Sequence, residues 1–324
     1  MNEHGWTPQQ MGDLTGRTAI VTGGNSGIGL RTAVELARRG ARVTITSRDT
    51  VRGERALREL RAKATGADAE VRELDLADLA SVKDFADSYA QDSERLDLLV
   101  NNAGVMALPR RETTADGFER QLGTNHLGHF ALTGRLLRLL EAADAETRDV
   151  RVVTVSSNAH RAGRLRRDDL MRVAGYQAWS AYGQSKLANL LFTHELQRRC
   201  EDAGSGVKAV AAHPGLAATN LVAAGPLSKA PKAVGALANG ITALVSQPAA
   251  VGAWPTLRAA TDPDVEGGEY FGPSWPGQWR GAPVQVDTSP AAQSLDDADW
   301  LWEESERLTG VRYEPLESPP TEGA

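Results

Sequence analysis

The segment from Thr18 to Gly29 constrains the fold of this chain more than any other. Its apolar run, Ala19-Ile20-Val21, is typical of a buried parallel strand, and a helical pattern begins at Leu30. Between them stand Gly23, Gly27 and Gly29. Glycines let the backbone turn tightly and approach a pyrophosphate, whose negative charge is favoured at the N-terminus of a helix. Strand, glycine turn and helix in this order predict a dinucleotide-binding site.

Strand-like and helix-like patterns alternate along the rest of the chain. Further strands are predicted at 42–46, 70–74, 96–100, 150–155 and 207–212, and helices at 50–63, 81–90, 114–143 and 179–199. This alternation predicts an α/β fold, a single doubly wound parallel sheet of about seven strands with helices on both faces. Residues 14–310 are predicted to form this domain, 1–13 an N-terminal extension, 270–279 a loop, and 311–324 a polar tail.

Composition excludes several classes of function. The net charge of −6 gives a nucleic-acid partner no basic surface to bind. No stretch reaches the roughly 18 apolar residues of a membrane span, and the polar N-terminal segment lacks the apolar core of a secretory signal. With a single cysteine, Cys200, a disulfide framework is excluded. We therefore expect a cytoplasmic protein, and its preference for arginine over lysine is typical of GC-rich bacterial genomes.

Candidate catalytic residues follow the predicted strands or lie on the helix at 179–199. Ligands bind at the carboxyl ends of the strands in such sheets, and Ser157 stands at one of these ends. Tyr182 and Lys186 share one helix face, and a neighbouring cation favours the phenolate, so the pair can exchange protons nearer neutrality. Taken alone, the pair is better explained as a snorkelling surface contact.

The ordered set of motifs resembles the short-chain dehydrogenase/reductase family over about residues 14–272. The matching residues are Thr22-Gly23-x-x-x-Gly27-x-Gly29, Asp75, Asn101-Asn102-Ala103-Gly104, Asn125, Ser157, Tyr182-x-x-x-Lys186 and Pro214-Gly215. Within the family the chain is most similar to the retinol-dehydrogenase-like and WW-domain-oxidoreductase-like branch. That similarity depends on Asn125-His126-Leu127-Gly128-His129-Phe130, Val155-Ser156-Ser157-Asn158-Ala159-His160, Ser185-Lys186-Leu187-Ala188-Asn189 and His213-Pro214-Gly215.

The resemblance implies a catalytic set made of Asn125, Ser157, Tyr182 and Lys186. Tyr182 protonates a carbonyl oxygen in reduction, or removes the alcohol proton in oxidation. Lys186 binds the nicotinamide ribose and lowers the pKa of Tyr182. Ser157 positions the substrate oxygen, and Asn125 holds a relay water beside Lys186.

The resemblance also implies the residues that bind a nicotinamide cofactor. Asp75 binds the adenine amino group, the segment 102–104 lies along the cofactor, and Thr219 helps to frame the nicotinamide amide. The full set is Gly23, Asn25, Ser26, Gly27, Ile28, Gly29, Arg48, Asp75, Leu76, Asn102, Ala103, Gly104, Tyr182, Lys186, Pro214, Gly215 and Thr219.

The end of the second predicted strand favours NADP(H) over NAD(H). An acidic side chain there would bind the ribose 2′-hydroxyl and exclude a 2′-phosphate. Ser47 is neutral instead, and Arg48 is a planar donor suited to phosphate. Asp49 could reach the same place, although its position also fits a cap of the next helix.

The apolar stretch 216–245 predicts a lid that closes over an apolar carbonyl or alcohol substrate. The basic run of Arg161, Arg164, Arg166 and Arg167 is interpreted as a solvated face, with an acidic substrate as the alternative. His126 and His129 have a spacing that metal ligands can use, but without a third ligand we favour packing and expect no metal. The predicted helices 114–143 and 179–199 commonly pair subunits in this family, so a homo-oligomer is one expectation.

Two other functions remain open at this stage. A nicotinamide-nucleotide-binding sensor without catalysis could use the same fold, although an intact Ser157, Tyr182 and Lys186 argues against it. A sugar-nucleotide epimerase would use a different glycine spacing from that of Gly27 and Gly29. A purely structural role would leave the whole set of motifs unexplained.

Overall fold

Eight strands form one sheet in the computed structural model, which describes residues 5–147, 149–218 and 247–316. These strands are β1 (Thr18–Val21), β2 (Arg42–Ser47), β3 (Ala69–Glu73), β4 (Leu98–Asn101), β5 (Arg151–Val155), β6 (Lys208–Ala212), β9 (Tyr270–Pro273) and β10 (Pro283–Gln285). Two short strands, β7 (Ala217–Ala218) and β8 (Gln247–Pro248), pair in parallel outside this sheet.

The strand order is β10-β9-β6-β5-β4-β1-β2-β3, and every pair is parallel except β9 with β10. The chain builds outward from β1 through β2 and β3, then returns to β4 on the other side of β1. The order therefore reverses between β1 and β4. In such sheets the crevice at the carboxyl ends of these two strands is the place where ligands bind.

Helices cover both faces of the sheet. They are α1 (Gly27–Arg38), α2 (Thr50–Lys63), α3 (Leu79–Asp92), α4 (Arg120–Leu122), α5 (Gly128–Thr147), α6 (Ala178–Asp202), α7 (Ala249–Gly252), α8 (Trp254–Thr261) and α9 (Leu295–Thr309). Alternate residues of a strand face opposite sides: Ile20 packs with side chains of α3, α5 and α6, whereas Val21 packs with side chains of α1, α2 and α8. The predicted doubly wound α/β fold is confirmed.

The prediction of a loop at 270–279 is wrong for its first four residues. Tyr270 and Phe271 are fully buried and extend the sheet beside β6 as β9. A Cβ at Gly272 would lie 2.0 Å from Nε2 of His213, so only glycine allows β9 to approach the end of β6. The glycine that indicated a loop is thus required for strand packing.

The single helix predicted over 114–143 is also wrong at its start. The chain forms a tight turn with Gly117 at a φ of 85°, and Thr113 pairs with Glu119 across it. The Glu119 carboxylate then caps α4 by accepting hydrogen bonds from two backbone N–H groups. A π-helical turn at 123–127 separates α4 from α5.

Described parts of the predicted N-terminal extension and polar tail contribute to the core. Trp6 and Met11 are buried against the α1 side of the sheet. At the other end, Val311 and Leu316 are buried, and the Tyr313 hydroxyl donates a hydrogen bond to the carbonyl oxygen of Phe130 at 2.7 Å. Apolar burial, rather than the polar composition around them, decides the placement of these segments.

α6 is buried along its middle because α9 packs over it. All residues from 181 to 193 are buried. Trp302 of α9 stacks on Phe192, with ring centres 6.0 Å apart, and the Arg199 guanidinium lies 4.5 Å from the Trp302 ring centre. No helix among the described residues is both long enough and apolar enough to cross a bilayer.

Candidate active site

The turn between β1 and α1 fits the phosphates of a dinucleotide. Gly23 and Gly27 have left-handed backbone conformations, with φ values of 63° and 56°, which glycine adopts without strain. A Cβ at Gly29 would lie 2.4 Å from Nδ2 of Asn102, so a side chain has no room there. Ser26 begins α1 without a side-chain cap, which leaves the first backbone N–H groups available to an anion.

Thr22 joins this glycine turn to the turn that follows β4. Its hydroxyl oxygen accepts hydrogen bonds from the backbone N–H groups of Asn102 and Ala103, each at 2.9 Å. In return, Nδ2 of Asn102 donates to the carbonyl oxygen of Thr22 at 2.8 Å. The sequence motifs contain Thr22 but give it no role. Its role is to hold the two turns together where the strand order reverses.

The end of β2 keeps the features that favour a 2′-phosphate. Arg48 is exposed, and within the described residues its side chain has neither a hydrogen bond nor an ion pair. Asp49 caps α2, accepting from the backbone N–H of Arg52 at 3.0 Å. The Ser47 hydroxyl donates to the carbonyl oxygen of Asp49 at 2.7 Å. Asp49 is therefore already used by the helix, as its capping position suggested.

Asp75 and Leu76 lie at the same edge, after β3. The Asp75 carboxylate accepts a hydrogen bond from the backbone N–H of Ala77 at 2.9 Å, and Leu76 is buried. A Cβ at Gly128 would lie 2.3 Å from the carbonyl oxygen of Leu76. The glycine at the start of α5 is thus what lets this turn pack against the helix.

Ser157, Tyr182 and Lys186 come together below the carboxyl end of β5. The Ser157 hydroxyl lies close enough to the Tyr182 hydroxyl to oppose the rise in its pKa. The Lys186 ammonium donates to the carbonyl oxygen of Val155 at 2.9 Å and lies 5.8 Å from the centre of the Tyr182 ring. Tyr182 and Lys186 are 7% and 4% exposed, so this is no snorkelling surface pair.

Burial dominates the electrostatics of these two groups. It raises the pKa of Tyr182 to about 12, against an opposing hydrogen bond from Ser157. It lowers the pKa of Lys186 to about 8. The resemblance implied a Tyr182 whose pKa is lowered by Lys186, and in this structure the cost of burying the phenolate is the larger effect. Near neutrality Tyr182 holds its proton and most Lys186 side chains are charged.

The side chain of Asn125 is held in the π-helical turn beside Lys186. Its Oδ1 accepts from the backbone N–H of Val105 at 2.8 Å, and its Nδ2 donates to the carbonyl oxygen of Val105 at 2.9 Å and to Oγ of Ser185 at 2.9 Å. A Cβ at Gly104 would lie 3.0 Å from Oδ1 of Asn125 and 3.6 Å from Nζ of Lys186. Gly104, Asn125 and Lys186 thus meet at one point.

Gly215, which follows Pro214, packs against the segment 273–279. Gly215 has a φ of 64°, and a Cβ there would lie 2.5 Å from the carbonyl oxygen of Trp279. Nδ2 of Asn158 donates to the carbonyl oxygen of Gly277 at 3.0 Å. The second half of the predicted loop 270–279 thus contacts Gly215 and Asn158, which lie next to residues of the proposed site.

Exposed aromatic side chains lie close to this cluster. The Trp179 ring meets the Tyr182 ring edge to face, with centres 6.0 Å apart, and is 56% exposed. Trp275 and Trp279 are also about half exposed. No signal in the sequence assigned a role to Trp179, although its position three residues before Tyr182 places both on one helix face.

Other singled-out residues have structural partners or lie elsewhere. Nε2 of His126 is 2.9 Å from Oγ of Ser305, which fits the packing interpretation. No metal-binding group of three or more His, Cys, Asp or Glu side chains occurs in the part of the chain that the structure describes. Cys200 is buried, and burial raises its pKa to about 12. Thr219 and positions 219–245 of the lid lie outside the described residues.

The basic run of the sequence points mainly to the surface. Arg166 pairs with Asp168 at 3.1 Å, and Arg167 pairs with Asp296 and Asp297 on α9. Arg161 is exposed and donates to the carbonyl oxygen of Asp287 at 2.7 Å. These contacts favour the solvated-face interpretation over an anion-binding one.

Comparisons with known proteins agree with this architecture. Residues 17–227 match the family described as short chain dehydrogenase. A solved structure of an uncharacterized protein from Mycobacterium paratuberculosis has a TM-score of 0.77 and 44% identity, covering 95% of this chain and 99% of the other. A Pseudomonas aeruginosa RhlG/NADP active-site complex has a TM-score of 0.59 and 26% identity, covering 80% of this chain and 94% of the other.

The similar curated proteins are retinol dehydrogenases. Mouse retinol dehydrogenase 12 is 40% identical over 304 residues, covering 93% of this chain and 89% of the relative. Human retinol dehydrogenase 13 is 41% identical over 311 residues, covering 94% of this chain and 89% of the relative. This chain therefore belongs to the short-chain dehydrogenase/reductase family, and it is an NAD(P)-dependent oxidoreductase whose sequence is retinol-dehydrogenase-like.

Proposed function

We propose that this chain transfers a hydride between NADP(H) and an apolar carbonyl or alcohol, with Tyr182 as the general acid or base. The observation that carries the proposal is the buried cluster of Ser157, Tyr182 and Lys186 beside Gly104. A proton donor, a hydroxyl and a cation meet there next to a turn that fits a dinucleotide. Hydride transfer at a C–O bond uses all three.

The cofactor-binding set supports this assignment. The glycine turn would hold the pyrophosphate at the N-terminus of α1, and Arg48 would bind the 2′-phosphate with its exposed guanidinium. The Lys186 ammonium would bind the nicotinamide ribose. When bound, the nicotinamide supplies or accepts the hydride. Thr219 is proposed for the nicotinamide amide on the resemblance alone, together with Pro214 and Gly215.

The catalytic residues then manage the proton. In reduction, the Tyr182 hydroxyl donates its proton to the carbonyl oxygen as the carbonyl carbon gains the hydride. In oxidation, the phenolate takes the alcohol proton. Ser157 holds the substrate oxygen through its hydroxyl, and the positive charge of Lys186 stabilises the phenolate. Burial keeps water away, which strengthens these electrostatic effects.

The surroundings of Tyr182 support an apolar substrate. Trp179 presents an exposed ring beside the Tyr182 ring, and Leu216, the first residue of the predicted lid, is 37% exposed. Covering such side chains contributes about 25 cal/mol for each Å² of apolar surface removed from water. A buried carboxylate would need a partner, and Arg161 and Arg166 already have partners in the Asp287 carbonyl oxygen and the Asp168 carboxylate. The retinol named for the similar dehydrogenases is an apolar alcohol, which fits this proposal.

A paired screen tests the function. Purified protein is assayed with NADPH and with NADH against aliphatic, aromatic and polyene carbonyls, and in the reverse direction against the alcohols. We expect turnover with NADPH on apolar members, and its loss in the Tyr182→Phe variant. If the protein binds NADPH but turns over none of the compounds in the screen, a nucleotide sensor explains the site better.

A further inference from the structure

His129 bridges two parts of the site that are far apart in sequence. Its Nε2 lies 2.9 Å from Oγ1 of Thr22, at the start of the glycine turn. Its Nδ1 lies 3.0 Å from the carbonyl oxygen of Asn125, one helical turn earlier. The ring is 1% exposed, so both contacts are made without competition from water.

Hydrogen-bond accounting fixes the tautomer of this ring. The carbonyl oxygen of Asn125 can only accept, so Nδ1 of His129 must carry a proton. Oγ1 of Thr22 already accepts two bonds, from the N–H groups of Asn102 and Ala103, and both of its lone pairs are occupied. Its one proton has two acceptors within reach, the carbonyl oxygen of Val100 at 3.3 Å and Nε2 of His129 at 2.9 Å, and the shorter contact assigns it to Nε2 as an unprotonated acceptor. A doubly protonated ring would set an N–H against the Thr22 hydroxyl with no lone pair to receive it.

Burial supports the same conclusion independently of these bonds. It lowers the pKa of His129 to about 4, and the nearby charge of Lys186 acts in the same direction more weakly. The ring is therefore neutral at physiological pH. A neutral ring with its proton on Nδ1 accepts a hydrogen bond from the Thr22 hydroxyl and donates one to the Asn125 carbonyl oxygen, and it cannot do the reverse.

The bridge is part of a continuous chain of hydrogen bonds across the site. The Thr22 hydroxyl meets His129, the ring donates to the backbone of Asn125, and Nδ2 of Asn125 donates to Oγ of Ser185. The Ser185 hydroxyl in turn donates to the carbonyl oxygen of Tyr182 at 2.8 Å. The chain thus runs from the glycine turn to the helix that carries the catalytic tyrosine.

We propose that His129 is a positioning residue, fixed as the neutral tautomer with its proton on Nδ1, which holds the cofactor turn and the π-helical turn of Asn125 at one spacing. It touches neither substrate nor cofactor. It acts through Thr22 on cofactor binding and through Asn125 on catalysis. The catalytic part rests on the proposed function, whereas the tautomer and the cofactor part do not.

The tautomer is tested by NMR of the full chain labelled with ¹⁵N in its histidines. Ring cross-peaks show directly whether Nδ1 or Nε2 carries the proton. We expect His129, assigned by its absence from a His129→Gln variant, to have the Nδ1–H pattern with or without NADPH. An Nε2–H or doubly protonated pattern near neutrality would overturn the proposal, whatever the enzyme's activity.

Two substitutions separate the two ends of the bridge. His129→Asn places an amide N–H near the Nδ1 position and keeps the bond to Asn125, but loses the acceptor for Thr22. His129→Gln places an amide oxygen near the Nε2 position and keeps the bond to Thr22, but loses the donor to Asn125. His129→Phe loses both. Thermal unfolding identifies any variant that does not fold. The variants that do fold are then compared for NADPH binding and for turnover.

The readouts are the Kd for NADPH, from its fluorescence, and kcat for a substrate from the screen. His129→Asn should weaken NADPH binding about tenfold with a smaller change in kcat, and His129→Gln should lower kcat about tenfold with NADPH binding retained. Variants that fold and leave both quantities unchanged, or lower both equally, show a structural role only and overturn the proposal. If no substrate is found, the proposed function fails, while the NADPH arm still decides the role of His129.

Discussion

The Lys186 ammonium lies 5.8 Å from the centre of the Tyr182 ring while it donates a hydrogen bond to the carbonyl oxygen of Val155. The cation is thus held by the strand end rather than by the phenol. In the proposed mechanism this one ammonium acts on both the cofactor ribose and the tyrosine. Substitutions of Tyr182 and of Lys186 should therefore have different effects on turnover and on NADPH binding.

Tyr182→Phe should remove turnover and spare cofactor binding. The variant keeps the buried ring but loses the proton donor, and a general acid is typically worth roughly a hundredfold to ten-thousandfold in rate. Lys186→Ala should damage both NADPH binding and turnover, because we propose that the ammonium acts on the ribose and on the phenol. The measurements are kcat and the Kd for NADPH. A Tyr182→Phe enzyme that retains most of its activity would mean that the proton comes from another group.

Arg48→Ala should weaken NADPH binding more than NADH binding. The guanidinium is exposed without an ionic partner among the described residues, and Asp49 is occupied as the cap of α2. Loss of a charged hydrogen bond to phosphate costs about 1.5–3 kcal/mol, so we expect a Kd for NADPH raised by about tenfold or more. Arg55→Ala, an exposed arginine farther along α2, is the matched control. Equal losses for both cofactors, or tighter NADH binding by the unchanged protein, contradict the NADP(H) preference.

Trp179→Ala should raise the KM for large apolar substrates and leave small ketones less affected. The exposed Trp179 ring beside Tyr182 is the apolar wall that a large substrate would cover. Trp179→Phe should restore most of the affinity. The same series compares each ketone with its carboxylated analogue at saturating NADPH. Higher kcat/KM for the carboxylated members, lost in Arg161→Ala or Arg164→Ala, would show an anion site instead of an apolar pocket.

Acid should destabilise the fold through its buried histidines. Burial lowers the pKa of His126 to about 3, of His129 to about 4 and of His213 to about 3. Below the unfolded value of about 6.5 the unfolded chain binds these protons and the folded chain does not. Their contribution to stability is therefore complete above that pH and is lost as the pH falls toward the folded values, by about 1.4 kcal/mol per histidine per pH unit.

Urea unfolding at two pH values, one above and one below the unfolded pKa of histidine, checks this expectation. The free energy of unfolding should be smaller at the lower pH. A His126→Asn variant removes one titrating group, so it should show a shallower dependence on pH than the unchanged protein. Equal free energies of unfolding at both pH values would mean that these rings are protonated in the folded state as well.

Local signals made most of the fold and the cofactor turn predictable. The glycine turn is encoded by neighbouring residues, and the alternation of strands and helices follows from periodicities within short windows. The doubly wound sheet was therefore predictable from the sequence. β9 was not, because its Gly272 looks like a loop signal until the facing His213 ring is known. The buried position of Tyr313 likewise depends on a partner, Phe130, far away in the sequence.

The parts of the site that could not be predicted are residues whose role depends on a contact with a residue far away in the sequence. The sequence predicts His129 to be an ordinary core residue, because its partner Thr22 lies 107 positions earlier and no local pattern connects the two. Asn125 lies in a π-helical turn of five residues, which is too short to change the hydrophobic periodicity of the sequence. Ser157, Tyr182 and Lys186 were identified through a resemblance, since spacing alone allowed a surface pair as well.

The packing of α9 over α6 has a consequence for how the enzyme works in solution. The two helices predicted to pair subunits in this family have much of their surface buried within one chain, by Trp302 and its neighbours on α9 among others. Ser157, Tyr182 and Lys186, the proposed catalytic cluster, all come from the same chain. Each molecule should accordingly be an independent catalyst, and its specific activity should stay constant when the protein is diluted.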